Sequence, residues 1–101
     1  MTLSELFLDV AQRLHDEKCR YICYGLHDIG DANAGDKELA KLVNAAIGII
    51  IERMEGHFYL SAWMMKKHPN LYHQDPGNRE YMMRQTRINW CLSLAEEFKG
   101  E

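Results

Sequence analysis

The segment from Asp36 to Gly56, DKELAKLVNAAIGIIIERMEG, has the strongest helical pattern in the chain. Asp36 can cap the start of this helix, and Gly56 can end it in the left-handed conformation. Because Ile49 and Ile51 make the helix apolar around most of its girth, other helices or another chain must cover it. The apolar residues that recur at spacings of three and four, the period of one helical face, are Leu39, Leu42, Val43, Ala46, Ile47, Ile50 and Met54.

Helical patterns also lie on both sides of this segment. Thr2 and Glu5 form a capping-box pattern at the start of a first helix. The phase of the apolar stripe shifts across residues 15–18, which favours two helices, rather than one, before the loop at 30–36. The sequence therefore predicts an all-α single domain over residues 1–101. Its fold is a compact bundle of four to five helices around a central apolar helix at about residues 36–55.

The later part of the chain supplies the remaining helices. A short helix is expected to stop before Pro69, and Asn78 can cap a last helix. The expected core stripe of that last helix is Tyr81, Ile88, Cys91, Leu92, Ala95 and Phe98. A second face of the same helix carries Met83, Arg87, Trp90 and Leu94.

Composition places the chain in the ordinary globular class. Of the 101 residues, 47% are apolar and 27% are charged, so disorder is not expected. No apolar run approaches the ~20 residues that span a bilayer, and charged residues interrupt the N-terminal stripe where a signal peptide would be apolar. The three cysteines have no disulfide-scaffold spacing, which favours a reducing compartment. We therefore expect a protein of a reducing, intracellular compartment that does not enter a membrane.

Two histidines and two cysteines recur at intervals of four residues: His15, Cys19, Cys23 and His27. A His/Cys pair at this spacing on a helix can chelate zinc. Twelve residues at a rise of about 1.5 Å put the ends of the series roughly 18 Å apart, too far for one metal ion. A two-ligand site completed by Cys91 stays open, but free cysteines are usually small core residues. We predict no metal site and no cofactor.

Motifs for catalysis are absent from the sequence. Ser4, Ser61 and Ser93 have no glycine-flanked elbow around them. The adjacent acids Glu96 and Glu97 point to different parts of a helix surface, so they cannot act as an acid/base couple unaided. The glycines are too scattered for a phosphate-binding loop. The sequence therefore predicts a non-enzymatic protein with no catalytic residues.

Positive charge and aromatic residues concentrate between residues 63 and 90. Between residues 66 and 87, five cations outweigh two acids, although the whole chain has a net charge of −3. Arginine beside tyrosine and tryptophan is typical of protein-binding hot spots and of surfaces that stack nucleic-acid bases. The simpler alternative is that the aromatic residues are core and the cations only solvate a helix. The candidate partner-binding residues are Trp63, Lys66, Lys67, Arg79, Arg84, Arg87 and Trp90.

Three segments are similar to parts of small proteins encoded by tailed bacteriophages: RYICYGL at 20–26, FYLSAWM at 58–64 and RINWCLSLAEEF at 87–98. In that group a cysteine-containing helix, an apolar helix, an aromatic helix and an Arg/Trp helix recur in this order. The resemblance implies an all-helical accessory protein made in the bacterial cytoplasm. Such proteins often bind and block a host factor, including restriction and CRISPR machinery. Most members lack an assigned function, so the resemblance assigns no site residue.

The resulting prediction is a non-enzymatic protein that binds a host protein or protein complex. The resemblance implies that it inhibits a bacterial defence system, of the anti-CRISPR or anti-restriction type. The alternative is a small nucleic-acid-binding regulator that uses the same 63–90 region, which the negative net charge disfavours. A homodimer is a further alternative, because Ala45 and Gly48 would let a helix of the same chain or of a second subunit approach closely.

Overall fold

The computed structural model describes residues 1–53 and 79–100, which form four α-helices. They are α1 (Leu3–His15), α2 (Ile22–Ala32), α3 (Lys37–Arg53) and α4 (Arg79–Glu97). The described residues contain no strand. The prediction of an all-α bundle is confirmed, as is the prediction of two separate helices before α3. The expected helix before Pro69 and the caps expected at Gly56 and Asn78 lie outside the described residues.

Side chains just ahead of α1 and α3 satisfy amides that have no partner in a first helical turn. The Thr2 hydroxyl accepts from the Glu5 amide at 3.1 Å, and the Thr2 amide donates to the Glu5 carboxylate at 2.9 Å. This reciprocal pair confirms the capping box, and the bond from the Thr2 backbone holds the pKa of Glu5 below its ordinary value. The Asp36 carboxylate accepts from the Leu39 amide at 3.0 Å, which confirms the second cap.

The connector between α1 and α2, residues 16–21, has a residue in the left-handed conformation at its second position. Glu17 has a φ of 59°, and the next amide, of Lys18, donates to the Arg13 carbonyl at 2.9 Å. A left-handed residue followed by such a long-span hydrogen bond is a usual way to end a helix, although glycine is the usual occupant. The chain therefore turns sharply here and returns along the bundle as α2.

Helix α1 packs against each of the other three described helices. The Ser4 hydroxyl near its start donates to the Ala95 carbonyl near the end of α4, at 2.7 Å. Glu17, just after its end, contacts Arg84 near the start of α4. Helices α1 and α4 are therefore antiparallel. The α1 side chains with no exposed surface are Leu6, Phe7, Val10 and Leu14.

Helix α3 packs on one side only within the described part of the chain. Its inner face buries Leu39, Val43, Ala46 and Ile50 against α1 and α2. On its outer side Ile51 keeps 65% of its surface exposed. The apolar character of this helix predicts cover on most of its girth. Among the described helices, however, α1 is the one that packs along all the others, whereas α3 reaches α4 through the Arg53–Glu97 ion pair.

The buried arc of α4 differs from the predicted stripe. Cys91 and Ala95 are buried as expected, but Leu92 is 45% exposed, so its predicted place in the core is wrong. Trp90 and Leu94, expected on a second face, are each 1% exposed. The buried face of α4 is thus rotated about the helix axis from the predicted one. Trp90 and Leu94 pack inward beside Cys91, and Leu92 lies at the exposed edge of this face. None of the described helices is long and apolar enough to cross a membrane.

Candidate interaction surface

Two tyrosines at the start of α2 lie outside the core. Tyr21 precedes the helix in an extended conformation and is 42% exposed, and Tyr24, one helical turn later, is 63% exposed. The buried side of α2 is formed by Ile22, Leu26 and Ile29. Because Tyr21 and Tyr24 fall between those positions, α2 presents both rings outward while its aliphatic residues hold it on the bundle.

An arginine from α4 completes a cluster around these rings. The Arg87 guanidinium carbon lies 4.7 Å from the centroid of the Tyr21 ring, and the Arg20 guanidinium carbon lies 5.8 Å from it. The rings of Tyr21 and Tyr24 meet edge to face, with centroids 5.7 Å apart. A cation within about 6 Å of a ring face is attracted by the ring's quadrupole. Below, "the Tyr21 surface" means Arg20, Tyr21, Tyr24 and Arg87.

An ion pair beside the Tyr21 surface ties α4 to the connector. One Arg84 guanidinium nitrogen lies 2.7 Å from the Glu17 carboxylate, and the Glu17 side chain is 69% exposed. An ion pair this accessible to water contributes only about 0–1 kcal/mol to stability. Arg87 lies one turn further along α4, over the connector that carries Tyr21, so both arginines face the same part of the chain.

The residues predicted to bind a partner therefore have different positions. Arg84 and Arg87 come together at the α1–α2 connector, where Arg84 is paired within the chain. Trp90 is in the core at 1% exposure, which corrects the prediction that its ring reaches a partner. Its side chain points inward with Leu94 because the buried arc of α4 is shifted. The side chain of Arg79, and all of Trp63, Lys66 and Lys67, lie outside the described residues.

Sequence reasoning missed three members of the Tyr21 surface: Arg20, Tyr21 and Tyr24. Their signal is in the segment RYICY at 20–24, where the tyrosines fall out of phase with the apolar positions of α2. An aromatic residue off the apolar stripe is a candidate for an exposed ring. The contact with Arg87 could not be read from this pattern, since it depends on how α4 docks.

The three cysteines pack together beneath this region. Cys91 is fully buried, and Cys19 and Cys23 are half-buried against the same core. Burial raises the pKa of all three thiols, and that of Cys91 is raised further by its proximity to Cys19 and Cys23. The thiolate is the form that attacks electrophiles and binds metals, and a raised pKa lowers the fraction of each thiol in that form near neutral pH.

The series of histidines and cysteines does not form one helical ladder. His15 is the last residue of α1, Cys19 lies in the connector, and Cys23 and His27 belong to α2. Both histidines are exposed, and His15 lies 3.1 Å from the Asp16 carboxylate. Across residues 1–53 and 79–100, no group of three His, Cys, Asp or Glu side chains has a geometry that could hold a metal ion.

A surface depression of about 370 Å³ lies where α2 leads into α3. Its polar side chains already form hydrogen bonds with the backbone or an ion pair with a neighbouring side chain. Asn33 donates to the Ile29 carbonyl at 2.8 Å, Asp36 caps α3, and Glu38 pairs with Lys41 at 3.6 Å. The residues that line it are Met1, Asn33, Asp36, Glu38, Leu39 and Leu42.

No protein-family model, curated protein or solved structure matches this chain. The similarity to small phage proteins therefore stays a prediction from three short segments. The geometry of the Tyr21 surface is the strongest basis for a functional proposal.

Proposed function

We propose that this is a non-enzymatic binding protein and that the Tyr21 surface is its contact site for another macromolecule. The observation that carries the proposal is the stacking of Arg87 at 4.7 Å from the centroid of an exposed tyrosine ring. Tyrosine and arginine are enriched among residues that dominate binding energy at protein interfaces. Tyr21 and Tyr24 together offer a large apolar area with polar tips, which an interface can bury without stranding a charge.

Order already present in the cluster supports this role. Arg87 rests on Tyr21, and Tyr24 meets the same ring, so these side chains have fewer rotamers to lose when a partner docks. An immobilised long side chain otherwise costs about 0.5–1.5 kcal/mol of affinity. The Tyr21 surface is thus partly organised before binding.

The partner we propose is a protein. The net charge of −3 opposes the general attraction to phosphates on which nucleic-acid binding depends. Together with the resemblance to phage accessory proteins, this leads to a host protein of a bacterial defence system, of the CRISPR or restriction type, which binding would inhibit.

A nucleic-acid-binding regulator is the second candidate. Its support is the same stacked pair, since an arginine on a tyrosine ring also makes a platform on which bases stack. The two candidates differ in salt dependence. An interaction driven by phosphate contacts weakens steeply as salt rises, whereas an interface anchored by tyrosine rings weakens less.

The test is an affinity capture from nuclease-treated bacterial lysate, followed by binding measurements with the purified partner. The bait variants are Tyr21→Ala/Tyr24→Ala and Arg87→Glu. Lys99→Glu, an exposed residue beyond the far end of α4, is the charge-matched control. We expect wild type and Lys99→Glu to retain one stoichiometric host protein. Both surface variants should bind it at least about 30-fold more weakly, the effect of losing a hot-spot residue.

Circular dichroism of each variant shows whether a loss of binding comes from unfolding. A partner retained equally by the tyrosine and arginine variants would refute the Tyr21 surface as the contact site. Recovery of nucleic acid without nuclease treatment, with no stoichiometric protein, would favour the regulator. In that case affinity should fall steeply between about 50 and 200 mM salt.

A further inference from the structure

The outer face of α3 is uncovered by any described residue. Lys41, Ala45, Gly48 and Glu52 are all exposed along this side of the helix. A Cβ placed on Gly48 would meet no atom within 4 Å. Ile51, at the edge of the same face, is 65% exposed. The centre of the face therefore consists of small side chains with an exposed aliphatic residue beside them.

Charge is distributed unevenly along this face. Its first half carries Lys37, Glu38 and Lys41, a balance of +1, and its second half carries Glu52, a balance of −1. Arg53 does not offset Glu52 there, because it turns inward to the Glu97 carboxylate of α4. The pair between Glu38 and Lys41 is 3.6 Å long and highly exposed, so it leaves Lys41 available at little cost.

A helix face that is positive at its start and negative at its end is complementary to itself when two copies lie antiparallel. A two-fold axis between Ala45 and Gly48 places each of these small residues opposite the other in the second copy. The same axis sets Lys41 of each copy opposite Glu52 of the other, because the two pairs are centred on the same point of the helix. Such self-complementary contacts are the usual basis of two-fold dimers. Small residues at the crossing allow the helix axes to approach closely.

We propose that the outer face of α3 is a self-association surface, on which a second copy of this chain packs its own α3 in the antiparallel direction. The proposal is independent of the Tyr21 surface, which lies on α2, the connector and α4. A single helix pair buries less than a standard interface, so the dimer is a weak one that forms at high concentration.

The test is sedimentation velocity at low ionic strength from about 1 µM to about 1 mM protein. The variants are Lys41→Glu, Glu52→Lys and the double variant with both changes. Each dimer contains the Lys41–Glu52 contact twice, so either single reversal introduces two like-charge contacts. We expect each single variant to raise the dimer Kd about tenfold, and the double variant to restore it to within about threefold.

Matched changes at the end of α4 and just beyond it separate this contact from a general effect of net charge. Lys99→Glu and Glu96→Lys alter exposed residues by the same amounts and should leave the dimer Kd unchanged. Gly48→Gln adds a long polar side chain that the monomer has room for, and it should weaken the dimer while circular dichroism stays the same. A monomer at 1 mM would overturn the proposal. The proposal would also be overturned if neither single charge reversal changed the dimer Kd, or if the double variant did not restore it.

Discussion

Helices α1 and α3 have similar N-terminal caps but are packed differently in the bundle. Each starts at a side-chain cap and carries an apolar stripe, yet α1 packs along three other helices, while α3 packs along α1 and α2 and reaches α4 through the ion pair of Arg53 with Glu97 near its end. The difference comes from α4, which packs along α1 and not along α3. An apolar stripe therefore predicts that a helix is buried against others, but the path of the chain decides how many helices pack on it.

The largest expected contrast is between the interior of α1 and the rim of α3. Phe7 has no exposed surface and stacks on Phe98 with ring centroids 6.2 Å apart, whereas Ile51 is 65% exposed. Phe7→Ala should lower the free energy of unfolding by about 3–5 kcal/mol, because it removes buried area and leaves a cavity. Ile51→Ala should change it by less than about 0.5 kcal/mol. Urea denaturation at low micromolar concentration measures both.

Phe7→Ala could leave too little folded protein to measure, because small domains are only about 5–15 kcal/mol stable. Phe7→Leu is the milder variant, with an expected loss of about 1.5 kcal/mol. If the Phe7 and Ile51 substitutions lowered the free energy of unfolding equally, these two positions of α1 and α3 would be buried to the same degree. The difference in packing between the two helices would then be wrong.

A smaller contrast is expected between two helical glycines. A Cβ on Gly25 of α2 would lie 2.9 Å from the Cys19 sulfur and 3.3 Å from a Val10 methyl of α1, whereas Gly48 of α3 has open space. Gly48→Ala should stabilise the protein by about 1 kcal/mol through helix propensity. Gly25→Ala gains the same propensity but overpacks the interior, for a net loss of about 1 kcal/mol.

The Cys19→Ala background checks the cause, since removing the sulfur should relieve part of the Gly25→Ala penalty. Thermal melts of the two single variants and the double variant give the coupling between the sites. If Gly25→Ala stabilised the protein as much as Gly48→Ala, α2 would not approach α1 as closely as described.

The smallest expected effect concerns how α1 ends. Glu17 has a φ of 59° where glycine would be unstrained, and it also pairs with Arg84. Glu17→Gln removes the charge pair and keeps the conformation, with an expected loss below about 1 kcal/mol. Glu17→Gly relieves the conformation as well. It should be more stable than Glu17→Gln by about 1 kcal/mol, and than wild type by about 0.5 kcal/mol. Denaturant midpoints of the three proteins test the order, and a less stable Glu17→Gly would contradict it.

Local patterns in the sequence were enough to predict the helices and the residues at which they start. The Thr2–Glu5 pattern, the cap at Asp36 and the phase shift after residue 15 each depend on residues a few positions apart, and all three predictions are confirmed. Packing between distant helices was not predictable in this way. Leu92 and Trp90 exchange their expected environments because the rotation of α4 about its axis is set by its contact with α1.

The candidate site was predictable only in part for the same reason. Arg84 and Arg87 were found from the density of cations and aromatic residues in their region of the sequence. Their contacts, Glu17 and Tyr21, lie more than sixty positions earlier in the chain and became visible only once α4 was placed. Composition thus identified one side of the cluster, and tertiary structure supplied the other.

The hydrogen bond from Ser4 to Ala95 joins residues 91 positions apart, and this separation has a consequence for biosynthesis. A ribosome adds about 5–20 residues per second. The apolar side of α1 therefore stays exposed for roughly 5–20 s, until α4, which packs on it, has been synthesised. Folding of this bundle therefore cannot be completed until α4 has been synthesised. A nascent chain stalled before α4 should be a substrate for the chaperones that bind exposed apolar segments.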